Sequence, residues 1–561
     1  DTGDISGYKH DTNNEKGLFK LNFNLDNKNK LAVTYNFLNA FRDKPAHPSA
    51  IGRRGPDATT LQFQNSGYRI NNKLHSAKAE LNSIIGTNKA NKLQVGYTSF
   101  RDSRDPFSNP FPVLNFGKNG TRYIIAGHEP FSINNVLDQD VIQLTDNFNI
   151  YTNKHSLTFG TSFEKFMFNN SFNLTGYGPR VFFPDIDISQ VNAFLTDTVN
   201  GEVVADADFL AEVQAAQSAF SDNNENDTWA LAETNLGQWA AYAQDEIAVN
   251  DNLNVTVGVR ADLPLYFDTE EKMQESIDRN CCYDPTIQYY DEAGNPVFLN
   301  SLEFPEQNPL ISPRVGFNYN VGDGTSQLRG GTGLFSGRFP FVWVGNQVAN
   351  PNSFFYVTTA PDFKYPQVWR SNLGFDKELV NGWEFSTDLI YTDDIQAAMV
   401  RNYGLQLPTG ELQGVDDRPI YVGDEHSTNA YVFTNTDEGY SVNASLKIKK
   451  TMPNDMYFTV AYNFLESKDA ASIDAEISSD AYDRNPANIT HSNTPELAHS
   501  LYGNKHRVVG SLYKKFTHND KFSTHIGVFS EYVVGGRYSF KYSGDINNDG
   551  SGLNDLIYIP K

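Results

Sequence analysis

The stretch Asp545-Ile546-Asn547-Asn548-Asp549-Gly550-Ser551-Gly552-Leu553-Asn554-Asp555 sets oxygen-bearing side chains at its first, third and fifth positions and glycine at its sixth. A calcium loop begins this way, because hard cations take oxygen ligands and the glycine lets the backbone turn sharply between them. Asp545, Asn547, Asp549 and Asp555 are therefore candidate Ca2+ ligands. The spacing departs from an EF-hand at its end, where Asp555 stands at position eleven and Leu556 at twelve. Asn, Asp and Gly at this density also form turns without any metal, so both readings stand. No other cofactor is expected.

A second constellation is aromatic. Arg338-Phe339-Pro340-Phe341-Val342-Trp343, followed by Phe354, Phe355, Tyr356 and Trp369, offers large amphipathic rings that give contact area at low entropic cost. Arg338, Phe339, Phe341, Trp343 and Trp369 are the candidate substrate contacts. Loop-on-loop packing or an aromatic girdle at a lipid interface explains the same residues. The 11 histidines show no HExxH and no paired metal spacing. His155, which follows a turn and opens a strand, reads as hydrogen-bonded rather than ligating. There is no GxSxG and no Walker loop, and the acidic pairs Asp393-Asp394 and Glu270-Glu271 read as solvated loop residues. No catalysis is expected. The two cysteines, Cys281 and Cys282, are neighbours and cannot staple distant parts of the chain.

Such groups need a scaffold, and its pattern is period two. Phe19, Leu21, Phe23 and Leu25 alternate with Lys20, Asn22 and Asn24; Leu31, Val33, Tyr35 and Phe37 follow in the same manner. Leu253–Val259, Val442–Ile448 and Phe458–Phe464 repeat the alternation. Short polar turns join the runs at Asp26–Lys30, Gly86–Lys92, Asn153-Lys154, Asn250–Asn252, Gly322–Gly324, Asn381-Gly382, Pro453–Asp455 and His518–Lys521. Eight hairpins predict about sixteen strands. The alternate connections are long, roughly 38–74, 100–138, 168–236, 264–312, 336–370, 393–440, 466–505 and 532–561. An antiparallel meander with these connections has one tight end and one elaborate end.

That is the plan of an outer-membrane β-barrel, with strands of about ten residues that are apolar outward and polar inward. The clearest apolar rows hold no Lys or Arg, each of which would cost about 2–4 kcal/mol at the bilayer midplane. The polar rows carry Lys, Arg, Asn and Thr, as a watery bore requires. Within the longest loop, Asp206–Phe220 predicts a helix capped by Asp206, with Phe209, Val213, Ala216 and Phe220 on one face. Among 561 residues, 68 Asp+Glu against 45 Lys+Arg leave a net charge of −23. This balance excludes a nucleic-acid partner, which needs a basic surface. With mean hydropathy −0.49, no run of 18 apolar residues is present, which excludes helical membrane spans. Lysines gather in the short turns and acids in the long loops, an arrangement suited to cationic or neutral cargo at the elaborate end.

In order along the chain, Gln143–Asn147 with His155–Gly160, Ala241–Glu246 with Val257–Arg260, Ser312–Phe317 with Leu328–Gly333, Pro366–Leu373 and Asp545–Pro560 form a recognisable series. This series resembles the barrel of TonB-dependent outer-membrane transporters, most closely the Oar-like group of Bacteroidota, with SusC-like importers more distant. The resemblance spans residues 1–561 and implies an all-β, antiparallel transmembrane barrel of 22 strands, of which about sixteen are recognisable here. It further implies a plug, a coupling box for the TonB-ExbB-ExbD system and often a β-sandwich before the plug, none of which is found in this sequence. The polar start at Asp1 and the end at Lys561 are read as those of a piece incomplete at both ends. Outer-membrane lipid is an expected partner, and a surface lipoprotein or larger envelope complex a candidate one. The expected function is energised uptake of a bulky substrate, with the long loops extracellular. A plugless barrel serving adhesion or scaffolding, and a secreted glycan-binding β-protein, are the alternatives.

Overall fold

The computed structural model describes residues 3–7, 9–45, 60–109, 113–119, 121–129, 132, 135–171, 186–190, 196–200, 202–225, 232–279, 283–322, 324–349, 355–405, 407–421, 429–473, 475, 478–484 and 490–560. Cys281, Cys282 and Phe354 lie outside them. The chain is all-β in its framework, and sixteen long strands make one antiparallel meander. They are β1 (Thr12–Asn24), β2 (Asn29–Lys44), β3 (Tyr68–Ile85), β4 (Lys89–Pro106), β5 (Asn135–Tyr151), β6 (His155–Ser171), β7 (Ala232–Asn250) and β8 (Leu253–Leu265). The second half holds β9 (Leu310–Val321), β10 (Ser326–Ser336), β11 (Gln367–Leu379), β12 (Trp383–Asn402), β13 (Gly439–Met452), β14 (Met456–Asp469), β15 (His506–Asn519) and β16 (Phe522–Val533). All eight hairpin turns fall where the polar turn residues put them.

Two rows show how the alternation becomes a wall with two faces. Across β9 to β14 the register aligns Phe317, Gly330, Leu373, Leu389, Ala444 and Phe464. One residue away it aligns Asn318, Arg329, Gly374, Asp388, Ser445 and Asn463. The first row is apolar, and its Leu373 and Leu389 are each 50% accessible. The second is polar and cross-linked. An apolar face left open over the whole sheet fits contact with hydrocarbon, where every backbone group must be paired within the sheet.

The strands run from 11 to 20 residues, longer than the ten expected. Their extra length lies toward the long connections, where Asn, Asp and Arg replace apolar residues and pair across strands. Asn72 Nδ2 donates to Asp102 (2.7 Å) and Asn71 Nδ2 to Asp105 (2.6 Å). Backbone pairing thus continues past the apolar band.

The long connections are folded too. Helix α1 (Ala207–Glu225) confirms the predicted helix: Asp206 Oδ1 accepts from the Phe209 amide at 3.0 Å, and Phe209 packs on a small sheet built around Leu114, Phe116 and Ala126. Helices α2 (Thr269–Arg279), α3 (Phe341–Ala349) and α4 (Ser478–Arg484) were not predicted. Glu270 and Glu271 open α2, where carboxylates suit a helix N-terminus. Asp393 and Asp394 are not loop residues but lie on β12, and Asp393 accepts from the Tyr391 hydroxyl at 3.0 Å.

Candidate functional site

Three arrangements could meet a ligand: the polar bore face, the aromatic mass above it and the 545–555 loop. On the bore face, charges are paired rather than scattered. Arg260 holds Asp262 at 2.8 Å, and Asp262 also accepts from Gln238 at 2.7 Å. Arg314 donates to Gln244 at 2.8 Å, and Lys449 pairs with Glu384 at 2.9 Å. Arg329 bridges Asp376 (2.8 Å) and Asp388. It reaches Asp388 by lying across Gly374, where a β-carbon would collide with the guanidinium. Arg260 and Lys447 therefore stand on the face opposite the aliphatic rows, as a hydrated bore demands.

The aromatic candidates separate on inspection. Phe339, Phe341 and Trp343 are at most 7% exposed. Phe339 sits amid Trp343 (5.0 Å), Phe363 (4.7 Å), Tyr365 (5.8 Å) and Phe433 (5.5 Å). Trp343 stacks on Phe433 at 4.3 Å and donates its indole N–H to the Ala475 carbonyl at 2.9 Å. These rings form the interior of the loop mass and turn no free face to cargo, which corrects their assignment as contacts. Trp369 lies on the apolar outward row of β11, beside Leu334 of β10, a girdle position rather than a vestibule one.

Arg338 differs. It pairs with Glu164 on the bore face of β6 and lies over the Phe166 ring at 5.4 Å, while its side chain stays half exposed. Phe166 in turn meets Phe341 edge-on at 4.8 Å, so the loop mass packs on the bore side of the wall. The short strand Phe355–Thr359 runs parallel to Asn429–Thr436, which pairs with the end of β12. His155 Nδ1 donates to Asp245 Oδ2 at 2.7 Å, a structural pair near the tight end.

In the 545–555 loop, Gly550 adopts φ +86°, the left-handed turn foreseen for it. Asp545 spends its carboxylate on the backbone, accepting from the amides of Asn548 (2.6 Å), Asp549 (3.2 Å) and Gly550 (2.9 Å). The remaining oxygens turn inward. Asp549 is 2% exposed and accepts from Ser492 Oγ and from Asn554 Nδ2 at 2.7 Å. Asp555 accepts from the Ile546 amide at 3.0 Å and from Arg418 at 3.1 Å. Burial pushes both carboxyls above their ordinary range. Arg418, itself buried, also grips Asp416 at 2.9 Å. Asn554, Ser492 and Arg418 were missed in the sequence because nothing in their spacing links position 418 or 492 to 545–555. Among the described residues no group of three or more His, Cys, Asp and Glu side chains converges as a metal cage.

Residues 4–354, more than half of the chain, match the family described as outer membrane beta barrel domain. The chain belongs to that family. This barrel therefore resides in the outer membrane, with the apolar rows as its lipid face. Among solved structures it is similar to the outer membrane transporter YddB from Escherichia coli (10% identity, TM-score 0.52, covering 93% of this chain and 61% of that one). It is likewise similar to the siderophore receptor PirA from Acinetobacter baumannii (10%, 0.50, 99% and 63%). A variant of the ferric enterobactin receptor PfeA from Pseudomonas aeruginosa gives 10%, 0.50, 92% and 57%. At such identity the likeness is one of fold, and the chain spans about three-fifths of each neighbour's length. A search of curated proteins finds no match.

Proposed function

We propose that this outer-membrane barrel is the wall and extracellular loop mass of a TonB-dependent transporter, of the Oar-like kind known in Bacteroidota, that imports a bulky substrate. The observation that carries the reading is the charge-paired bore face closed over at its elaborate end by a folded loop mass. A passive adhesion barrel needs neither a lined bore nor a structured lid, whereas a gated importer needs both. The neighbours that bind ferric siderophores support the same class. In this reading the TonB-ExbB-ExbD system acts through a plug belonging to the complete protein, and outer-membrane lipid surrounds the wall. Arg338, at the bore mouth with half its side chain open, is the cargo contact retained from the aromatic segment. The acidic balance of the chain suits cationic or neutral cargo. The test is growth or uptake by cells carrying the full-length protein, with and without TonB. Accumulation of a co-purifying ligand that depends on TonB is expected; binding without TonB-dependent accumulation points to adhesion or scaffolding instead. Capture of a surface lipoprotein would move the assignment toward SusC-like importers.

A further inference from the structure

The 545–555 loop joins three long connections. The Tyr421 amide donates to the Asn547 carbonyl at 2.8 Å, tying in the connection between β12 and β13. Ser492, from the connection between β14 and β15, donates to Asp549. The loop itself belongs to the segment after β16. Where the three meet, a cavity with room for about one water-sized sphere is lined wholly by polar side chains, among them Ser492, Asn547, Asp549, Asn554, Asp555 and Arg418.

Two observations separate this cavity from an ordinary turn. Asn554 is 5% exposed, and its side-chain oxygen, buried at the cavity, has no hydrogen-bond partner. Its amide nitrogen is already committed to Asp549, so the oxygen cannot be exchanged for a donor without losing that bond. A buried acceptor left unpaired costs about 1–3 kcal/mol. The second observation is charge. Asp416 and Asp555 share the Arg418 guanidinium, but Asp549 has no cationic side chain within ion-pair distance among the described residues. An unpaired buried carboxylate is costlier still.

We infer that the cavity binds a hard divalent cation of the calcium class, with Asn554 Oδ1, Asp549, Asp555 and Asn547 as its side-chain oxygen donors. Calcium accepts such a mixed carboxylate and amide set in irregular geometry, whereas magnesium demands a near-octahedral shell and keeps its waters. Asp545, the first position of the loop motif, acts from behind: it holds the amides of the turn and touches no cation. Arg418 holds Asp555 at the edge of the same cavity, so Asp555 is shared between the ion and the guanidinium, Asp416 belongs to the guanidinium and Asp549 to the ion. A bound ion pins the three connections to one another at the elaborate end. The site is independent of the transport reading and stands or falls separately from it.

The experiment uses the full-length protein in detergent after chelation, with Ca2+, Mg2+ and Tb3+ as probes. Saturable calcium binding is expected, in about the 10⁻⁴–10⁻³ M range of extracellular calcium modules or tighter. Tyr421, whose hydroxyl accepts from the amide of the cavity residue Ser492, sensitises Tb3+ luminescence, which Ca2+ displaces and Mg2+ does not. Asn554→Leu and Asp549→Asn each weaken binding at least about tenfold, one unit of the affinity scale. Their unboiled and boiled gel mobilities remain those of the folded barrel. Absence of saturable Ca2+ binding at millimolar concentration overturns the inference, as does unchanged affinity in both variants. Should the variants fold poorly, limited proteolysis of the unaltered protein decides: calcium suppresses cleavage within 534–560, and cleavage equal with and without calcium overturns the site.

Discussion

The wall and the loop mass use the same kinds of side chain for opposite ends. On β11 and β12, Leu373 and Leu389 are half exposed, and their row runs unbroken into β13 and β14. In the loop mass, Phe339, Trp343 and Phe433 are almost wholly enclosed by one another. Hydrocarbon replaces water around the first set and protein replaces it around the second. The wall needs no packed interior because its stability rests on a continuous ladder of backbone bonds and on lipid outside. The loops face water and must build an ordinary aromatic core to stay folded.

The contrast can be broken most forcefully in the loops. Trp343→Ala should cost about 3–5 kcal/mol of local stability. Hydrogen exchange should quicken in 339–365 and 429–436 while the wall strands stay protected; equal acceleration in β11–β14 would mean that the two regions fold as one. Next comes the lipid face. Leu373→Arg should destabilise the barrel by about 2–4 kcal/mol in bilayers, and Asn372→Arg, one residue away on the bore face, by less than about 1 kcal/mol. Denaturant titration of protein refolded in vesicles measures both, and equal costs would erase the distinction between the faces.

A pH effect sharpens the comparison further. Burial holds the His128 imidazole down to about 4, against an ordinary value of 6.5. The folded chain thus keeps this ring neutral, and the unfolded chain takes up the proton first as pH falls. The stabilisation is complete above pH 6.5 and declines toward pH 4, by roughly 2–3 kcal/mol over that window. Exchange within 113–127 should rise between pH 7 and 5 with the wall unaffected. The smallest effect belongs to the bore. Gly374→Ala should dislodge Arg329 from Asp388 and cost about 0–1 kcal/mol, since the pair is partly exposed; a thermal melt at low and high salt detects it as a reduced salt dependence.

Much of the wall was legible in the sequence because period-two alternation and the turn residues are local signals, each contained within a single hairpin. Helix α1 was legible too, from its Asp206 cap and one-sided apolar spacing, but α2, α3 and α4 were not. Phe341–Ala349 is rich in β-branched and aromatic residues, and only burial of Phe341, Trp343, Val344 and Val348 against distant segments makes it helical. The candidate sites divide along the same line. The turn at Gly550 follows from its own neighbours, whereas Arg418, Ser492 and Asn554 converge through contacts more than 50 residues apart for the first two. Aromatic composition alone could not distinguish Phe339, which is enclosed, from Trp369, which faces outward.

Strand β12 bears on how the two regions act together. Its lower part is bonded to β11 and β13, and its last residues, Ala397–Asn402, are bonded to Asn429–Thr436 at the heart of the loop mass. One continuous backbone, bent at the bulge around Ile395, thus crosses from the oily zone into the watery one. A load on the outer lobe is therefore carried toward the membrane through a bent but unbroken strand, as on a sprung beam rather than a tether.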